Sequence, residues 1–333
     1  MKILHTCHKF SLHSGGSSVF WYEVSKRLVG LGHDVTVLCQ DDSPEHGTTL
    51  DPVSIIDGIK VHALKIPRDY HTYMDIFLKG DYDVRVGYDT RTWCCLWLAE
   101  NNFRQVKQPF IFWPCQPEYD TYKFRELEKQ AAYIVSWHNK AVYGDIAIHP
   151  GYSPEEVKSA DFERTFAYKY NIEDDFIFSP TSYWPHKNPM LLNEIATPDR
   201  KVVMCGYGQE DKEKWQFNEN IIALDVLPRQ EVLQAYSECK LVVSPSKWEG
   251  YGIVPLEAYG FGKPWVAFDT GGAWEIPRGI VVKNAEEFIK VTNILWNTPE
   301  LINSDKENNV REEWTWKSTT EKVLGLYSRV TGL

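Results

Sequence analysis

The first residues of the chain already constrain its architecture. An apolar run KILHTC (2–7) leads into a loop with Ser14-Gly15-Gly16-Ser17, then VFWYEVSKRLVGLGH with helical apolar spacing ending at Gly32, then a second apolar run DVTVLC. Strand, Gly-rich loop, helix and strand in that order form a right-handed crossover between parallel strands in nearly all known cases. Unbroken apolar runs, as opposed to alternating ones, mark strands covered on both faces. The pattern continues with candidate strands at 59–64, 82–87, 109–113, 132–136 and 145–149. It pauses at a polar stretch of mixed charge, 153–175, which reads as a connection between domains, and then restarts. FIFSP, KVVMCG, NIIAL, KLVVSP, PWVAF and GIVV are the second set of strands. Helices are predicted from about Lys187 to Ala196, across LPRQEVLQAYSEC and from about Val254.

The prediction is an α/β chain of two domains, since 333 residues exceed what one core normally fills. The expected limits are 1–165, 166–310, and a terminal helix at 311–333 with Trp316, Val323, Leu324 and Tyr327 on one side. No apolar run approaches the length of a membrane span. MKILHTCHKF has no signal-peptide core, so a cytoplasmic protein is expected. A net charge of −10 without a Lys/Arg run argues against a nucleic-acid coat. The seven cysteines contain no CxxC pair and sit mostly in apolar runs, which predicts reduced core thiols.

Chemistry concentrates between Ser244 and Glu275. A strand ending LVVSP runs into a loop with Glu249, Gly250, Tyr251 and Gly252, then into a helix that carries Glu257, then a further strand and the turn Gly271-Gly272. Glycines there let the backbone approach a ligand, and the amides at a helix start point at an anion. Two carboxylates aimed at one cleft suit the hydroxyls of a sugar or a ribose.

The stretch from Glu249 to Glu257 resembles the E-x7-E signature of the retaining glycosyltransferases of family 4, which have the GT-B fold: two Rossmann-like domains facing a cleft, with a C-terminal helix, here at 311–333, packing back toward the first domain. Its neighbours resemble the family in the same order: KVVMCGYGQE (201–210), LPRQEVLQAYSECKLVVSPS (227–246) and GKPWVAFDTGG (262–272), with a looser likeness in HSGGSSVFWYEVSKRLVGLGHDVTVL (13–38) and IHPGYS (148–153). The resemblance implies transfer of a sugar, without a metal or a tightly bound cofactor, from a nucleotide-diphosphate sugar, with UDP- and GDP-sugars the expected donors, to a glycan, lipid-linked or small-molecule acceptor. Glu257 would bind the ribose and Glu249 the donor sugar, and backbone at Gly250, Tyr251, Gly252, Ile253 and Val254 would meet the sugar and diphosphate. Lys187 would be the catalytic cation. Where the family has an Arg partner this chain has Ser182, for which His186 and Arg229 are the candidate substitutes. Gly206, Tyr207 and Leu227 would border the base, and Gly15 and Gly16 would offer amides to the diphosphate. The family's first-domain His has no counterpart after PFIFW; His138, after the next strand, is the candidate.

Other readings stay open. His5, Cys7, His8 and His13 cluster in sequence, but strand alternation separates His8 from His5 and Cys7, and no metal site is assigned. Asp81 and Asp83 imitate a metal-binding DxD but read as a solvated strand start. A sugar-nucleotide epimerase or phosphorylase, a catalytically silent sugar-nucleotide-binding protein and a transferase acting on nucleic-acid bases are the alternatives. Peripheral membrane contact has no basic amphipathic helix in the first half to support it.

Overall fold

The computed structural model describes residues 1–10, 15–40, 51–89, 92–101, 109–114, 121–139, 144–160, 164–208, 214–301 and 312–333. His13, Ser14, Cys115 and Gln209 lie outside them. The chain divides into two compact units, Met1–Gly151 with Trp316–Leu333, and Tyr152–Thr315.

The first unit holds strands β1 (Lys2–Cys7), β2 (Asp34–Gln40), β3 (Val53–Ile56), β4 (Ile59–Leu64), β5 (Val84–Tyr88), β6 (Phe110–Trp113), β7 (Tyr133–Ser136) and β8 (Ile146–Ala147). Their order in the sheet is β3-β4-β2-β1-β5-β6-β7-β8. Only β3, paired antiparallel to β4, breaks the parallel arrangement. Helices α1 (Gly15–Gly30), α2 (Tyr70–Lys79), α3 (Trp93–Asn101) and α4 (Thr121–Glu128) cover it. The chain goes from β1 to β2 on one side and reaches β5 on the other, so β1 and β5 flank the point where strand order reverses.

The second unit opens with two short helices, α5 (Pro154–Ser159) and α6 (Thr165–Lys169). Residues 152–165, expected in the first domain, fall instead in the second unit, and the described residues of the stretch expected to connect the domains, 153–175, include both helices. The Ser153 hydroxyl caps α5 by accepting from the Glu156 amide at 3.2 Å, and the Glu238 carboxylate accepts from the amides of Phe166 and Ala167. Strands β9 (Phe176–Ser179), β10 (Lys201–Cys205), β11 (Ile221–Leu224), β12 (Leu241–Ser244), β13 (Trp265–Phe268) and β14 (Gly279–Val282) form a sheet in the order β11-β10-β9-β12-β13-β14. All neighbours are parallel. Helices α7 (Arg229–Glu238), α8 (Ile253–Gly260) and α9 (Ala285–Asn297) connect and cover these strands. Ile177, Val202, Met204, Val243 and Val266 of the central strands are fully buried together with Phe288 of α9.

The helix predicted over 187–196 is instead two 3₁₀ segments, Pro185–Lys187 and Pro189–Glu194. Pro189 cannot donate a helical hydrogen bond, and Asn188 before it sits in the left-handed region at φ 54°.

The terminal helix α10 (Trp316–Thr331) belongs to the first unit. It buries Trp316, Val323, Leu326 and Tyr327, with Leu326 in the place expected for the half-buried Leu324. Trp316 meets the edge of Phe20 on α1. The Tyr327 hydroxyl bonds the His5 ring at 2.8 Å, whose other nitrogen bonds Ser25 at 2.8 Å. His5 is thus a neutral core residue, held by burial at a pKa of about 3, and no metal ligand. Asp83 accepts the Lys2 amide and Asp81 pairs with the Lys2 ammonium, capping the exposed start of the sheet. Cys7, Cys39, Cys94, Cys95, Cys205 and Cys239 are free and buried.

Candidate functional site

In the second sheet the strand order reverses between β9 and β12, and the loops leaving their carboxyl ends carry the site residues. Lys187 stands at the end of the loop after β9, and Glu249 in the loop after β12. The Lys187 ammonium donates to Oε1 of Glu249 at 2.7 Å, with both side chains 19% exposed. The Lys247 amide donates to the His186 carbonyl at 2.8 Å, so backbone ties the same two loops. The His186 ring stacks on Trp184 and meets Trp248 edge-on. Partial desolvation, then the Lys187 charge, holds the imidazole of His186 below its usual range, which disfavours the cationic form.

Buried hydroxyls collect at the same strand ends. Ser179 closes β9, Thr181 follows it, and Ser246 follows β12; each is more than nine-tenths buried and makes no hydrogen bond among the described residues. Such groups pair with ligand or water.

Glycine shapes this end of the sheet. A Cβ on Gly206 would lie 2.6 Å from the Thr181 carbonyl, and one on Gly272 would lie 2.2 Å from the Tyr251 ring. The Gly272 amide donates to the Tyr251 carbonyl at 2.7 Å, which packs the turn Gly271-Gly272 onto the loop before α8. Gly252, at φ 105°, caps α8. Pro255 falls in the first turn, where a helix amide has no internal acceptor to lose.

Glu257, on α8, is 13% exposed and pairs through Oε1 with Nη1 of Arg229 at 2.6 Å. Burial works against the Arg229 charge, but Glu257 and Glu156 outweigh it and raise its pKa. The two glutamates of the E-x7-E spacing therefore each face a cation. Arg229 meets Glu257, and sequence spacing could not show this because Arg229 and Glu257 stand on separate helices. Ser182, Tyr207 and Leu227 are half-buried in the loops after β9 and β10 and before α7.

The other predicted residues lie in the first unit. Gly15 and Gly16 open α1, which follows β1, and both are exposed. His138 follows β7 and is half-buried, with its carbonyl accepting from the Ser136 hydroxyl at 3.3 Å. Among the described residues no three His, Cys, Asp or Glu side chains gather as metal ligands would, and no helix is long and apolar enough to cross a membrane.

Comparison with known proteins defines the class. Residues 165–281 match the family model described as Glycosyl transferases group 1. An uncharacterized glycosyltransferase of Methanocaldococcus jannaschii is 29% identical over 116 residues, 32% of this chain and 30% of that protein, so the match spans less than a third of the relative's length. Among solved structures, sucrose-phosphate synthase of Thermosynechococcus elongatus superposes with a TM-score of 0.77 at 13% identity over 100% of both chains. HepE of Anabaena in complex with UDP-glucose superposes with a TM-score of 0.77 at 16% identity, over 99% of this chain and 100% of that one. The family match lies within the second unit, and the chain has the fold of the GT-B glycosyltransferases.

Proposed function

We propose that the protein is a retaining glycosyltransferase that moves a sugar from a nucleotide-diphosphate donor to an acceptor hydroxyl without a metal. The observation that carries this reading is the Lys187–Glu249 pair, which joins the loops after β9 and β12 at the reversal point of the second sheet. Ligands bind outside the carboxyl ends of strands at such a point. With the donor bound, Glu249 accepts from hydroxyls of the sugar and Glu257 from those of the ribose, while the first-turn amides of α8 face the diphosphate. Lys187 stabilises the charge that develops on the diphosphate as the glycosidic bond breaks, and the cationic role assigned to a metal in other transferases falls to it. Ser179, Thr181 and Ser246 offer hydroxyls to the same ligand.

Gly15, Gly16 and His138 are the first-unit candidates for contacts to the diphosphate and acceptor. The UDP-glucose bound by HepE of Anabaena supports a UDP-sugar as the first donor to try. The test is release of nucleotide from UDP-glucose, GDP-mannose and ADP-glucose in the presence of a panel of alkyl glycosides, with the anomeric configuration of the product read by NMR. An α-linked product from these α-linked donors, formed equally in EDTA, is expected. A β-linked product would overturn retention, and loss of activity in EDTA would overturn metal independence.

A further inference from the structure

Arg229, the first residue of α7, holds two carboxylates at once. Its Nη2 lies 2.7 Å from Oε2 of Glu156 and its Nε 3.4 Å from Oε1 of the same carboxylate, while Nη1 reaches Oε1 of Glu257 at 2.6 Å. The guanidinium is anchored at two points on Glu156 and offers a single point to Glu257. A planar fork can do this, whereas an ammonium on a flexible stem cannot fix both partners in one geometry.

Glu156 is itself well placed to act as the anchor. It is the third residue of α5, and the Ser153 hydroxyl accepts from its amide. From that position a glutamate ordinarily turns back to cap its own helix, but this side chain reaches to Arg229. Two turns along α7 on the same face, the Tyr236 hydroxyl is buried, and burial and then the nearby Glu257 charge push its pKa up. One cation shared between two carboxylates leaves one negative charge in the cluster, and Glu257 is its most buried acid, 13% exposed against 32% for Glu156.

We propose that Arg229, anchored by Glu156, is the positioning residue that grips one oxygen of Glu257 and turns the other toward the ribose hydroxyls, so that the site selects ribonucleotide over 2′-deoxyribonucleotide donors. The inference rests on the donor-site reading above. An ionised carboxylate oxygen held in place accepts hydroxyl protons strongly, and removing one such hydroxyl from the ligand weakens binding by about tenfold or more. The selectivity depends on the oxygen being aimed, so it is lost when Glu257 is free to turn.

The test is calorimetric titration of the full chain, as wild type, Arg229→Lys and Glu156→Gln, with UDP against 2′-deoxy-UDP, and with the GDP and ADP pairs. Wild type is expected to prefer the ribonucleotide of its matching base by about tenfold or more. Arg229→Lys keeps the charge but loses the fork, and its preference falls toward unity while the 2′-deoxy form binds as in wild type. Unchanged binding of the deoxy form is also the check that the variant is folded. Glu156→Gln shifts the preference in the same direction by a smaller factor. Full wild-type preference in Arg229→Lys overturns the proposal and leaves the donor site standing. If Arg229→Lys binds neither form, Glu156→Gln decides, and an undiminished preference there overturns the proposal. Wild type that binds none of the three pairs overturns the donor-site reading instead.

Discussion

Lys187 and Glu249 form a 2.7 Å ion pair between loops that leave adjacent parallel strands, β9 and β12. A pair this shielded costs desolvation as well as gaining attraction. Under the proposed donor-site reading, its place at the reversal point of the sheet gives it a use that packing alone does not: a bound diphosphate would offer Lys187 a better partner and free Glu249 for hydroxyls.

Lys187→Ala is therefore expected to lower kcat by about 10²- to 10³-fold, the scale on which one preorganised donor to a developing negative charge acts. The nucleotide Kd changes less. Lys187→Arg keeps a cation and recovers part of the rate. Steady-state kinetics beside calorimetric Kd values check this, and a Lys187→Ala enzyme with full kcat contradicts the catalytic role.

Glu257→Ala should weaken nucleoside diphosphate binding by about 10- to 100-fold, the loss of hydrogen bonds to a charged group. The substitution also strands Arg229 with Glu156 alone, so a modest drop in melting temperature accompanies it. Calorimetry separates the two effects.

Gly206→Ala places a methyl 2.6 Å from the Thr181 carbonyl, a backbone atom that cannot swing away. The loops after β9 and β10 must part, and donor binding is expected to fall sharply while the first unit, with its own core, melts as before. Separate unfolding transitions in calorimetry would display this.

His5 gives the first unit an acid limit. Its pKa is about 3 in the fold, because burial disfavours the charged ring, against about 6.5 in the unfolded chain. The unfolded state then binds more protons below about pH 6.5, so stability is full above that value and falls as pH drops toward 3. Between pH 6.5 and 5 the loss is about 2 kcal/mol. Replacing His5 by Gln should flatten this slope while lowering stability at pH 7, where Ser25 and Tyr327 lose a matched partner. Melting curves at pH 7 and pH 5 check both signs.

Most of the fold could be read from the sequence because parallel strands covered on both faces leave unbroken apolar runs, as in FIFS, KVVMC and LVVS. The edge strand Val53–Ile56 left no such run, since Val53 and Ile55 are 55% and 67% exposed. The helix Ala285–Asn297 escaped the apolar count, although Asn284 before Glu287 is a capping signal, and its side chain does accept from the Glu287 amide at 2.9 Å. Ser153-Pro154-Glu155-Glu156 carried the same kind of signal inside a stretch that polarity alone made look like a linker. The E-x7-E spacing singled out Glu249 and Glu257 as candidates but could not give their partners. Arg229 on α7 meets Glu257 on α8 through one ion pair, and Lys187 meets Glu249 because β9 and β12 are neighbouring strands, and neither relation is a matter of sequence distance.

The central claim is a nucleotide site at the carboxyl ends of β9 and β12, and a thermal-shift titration with UDP, GDP, ADP, CDP and dTDP tests it most directly. One ribonucleoside diphosphate is predicted to stabilise the protein, by about 2.7 kcal/mol at a hundredfold excess over Kd, with the stabilisation cut to about 0.4–1.4 kcal/mol at the same concentration in Glu257→Ala and dTDP giving little. No shift with any of the five, or a shift that survives intact in Glu257→Ala, would contradict the account.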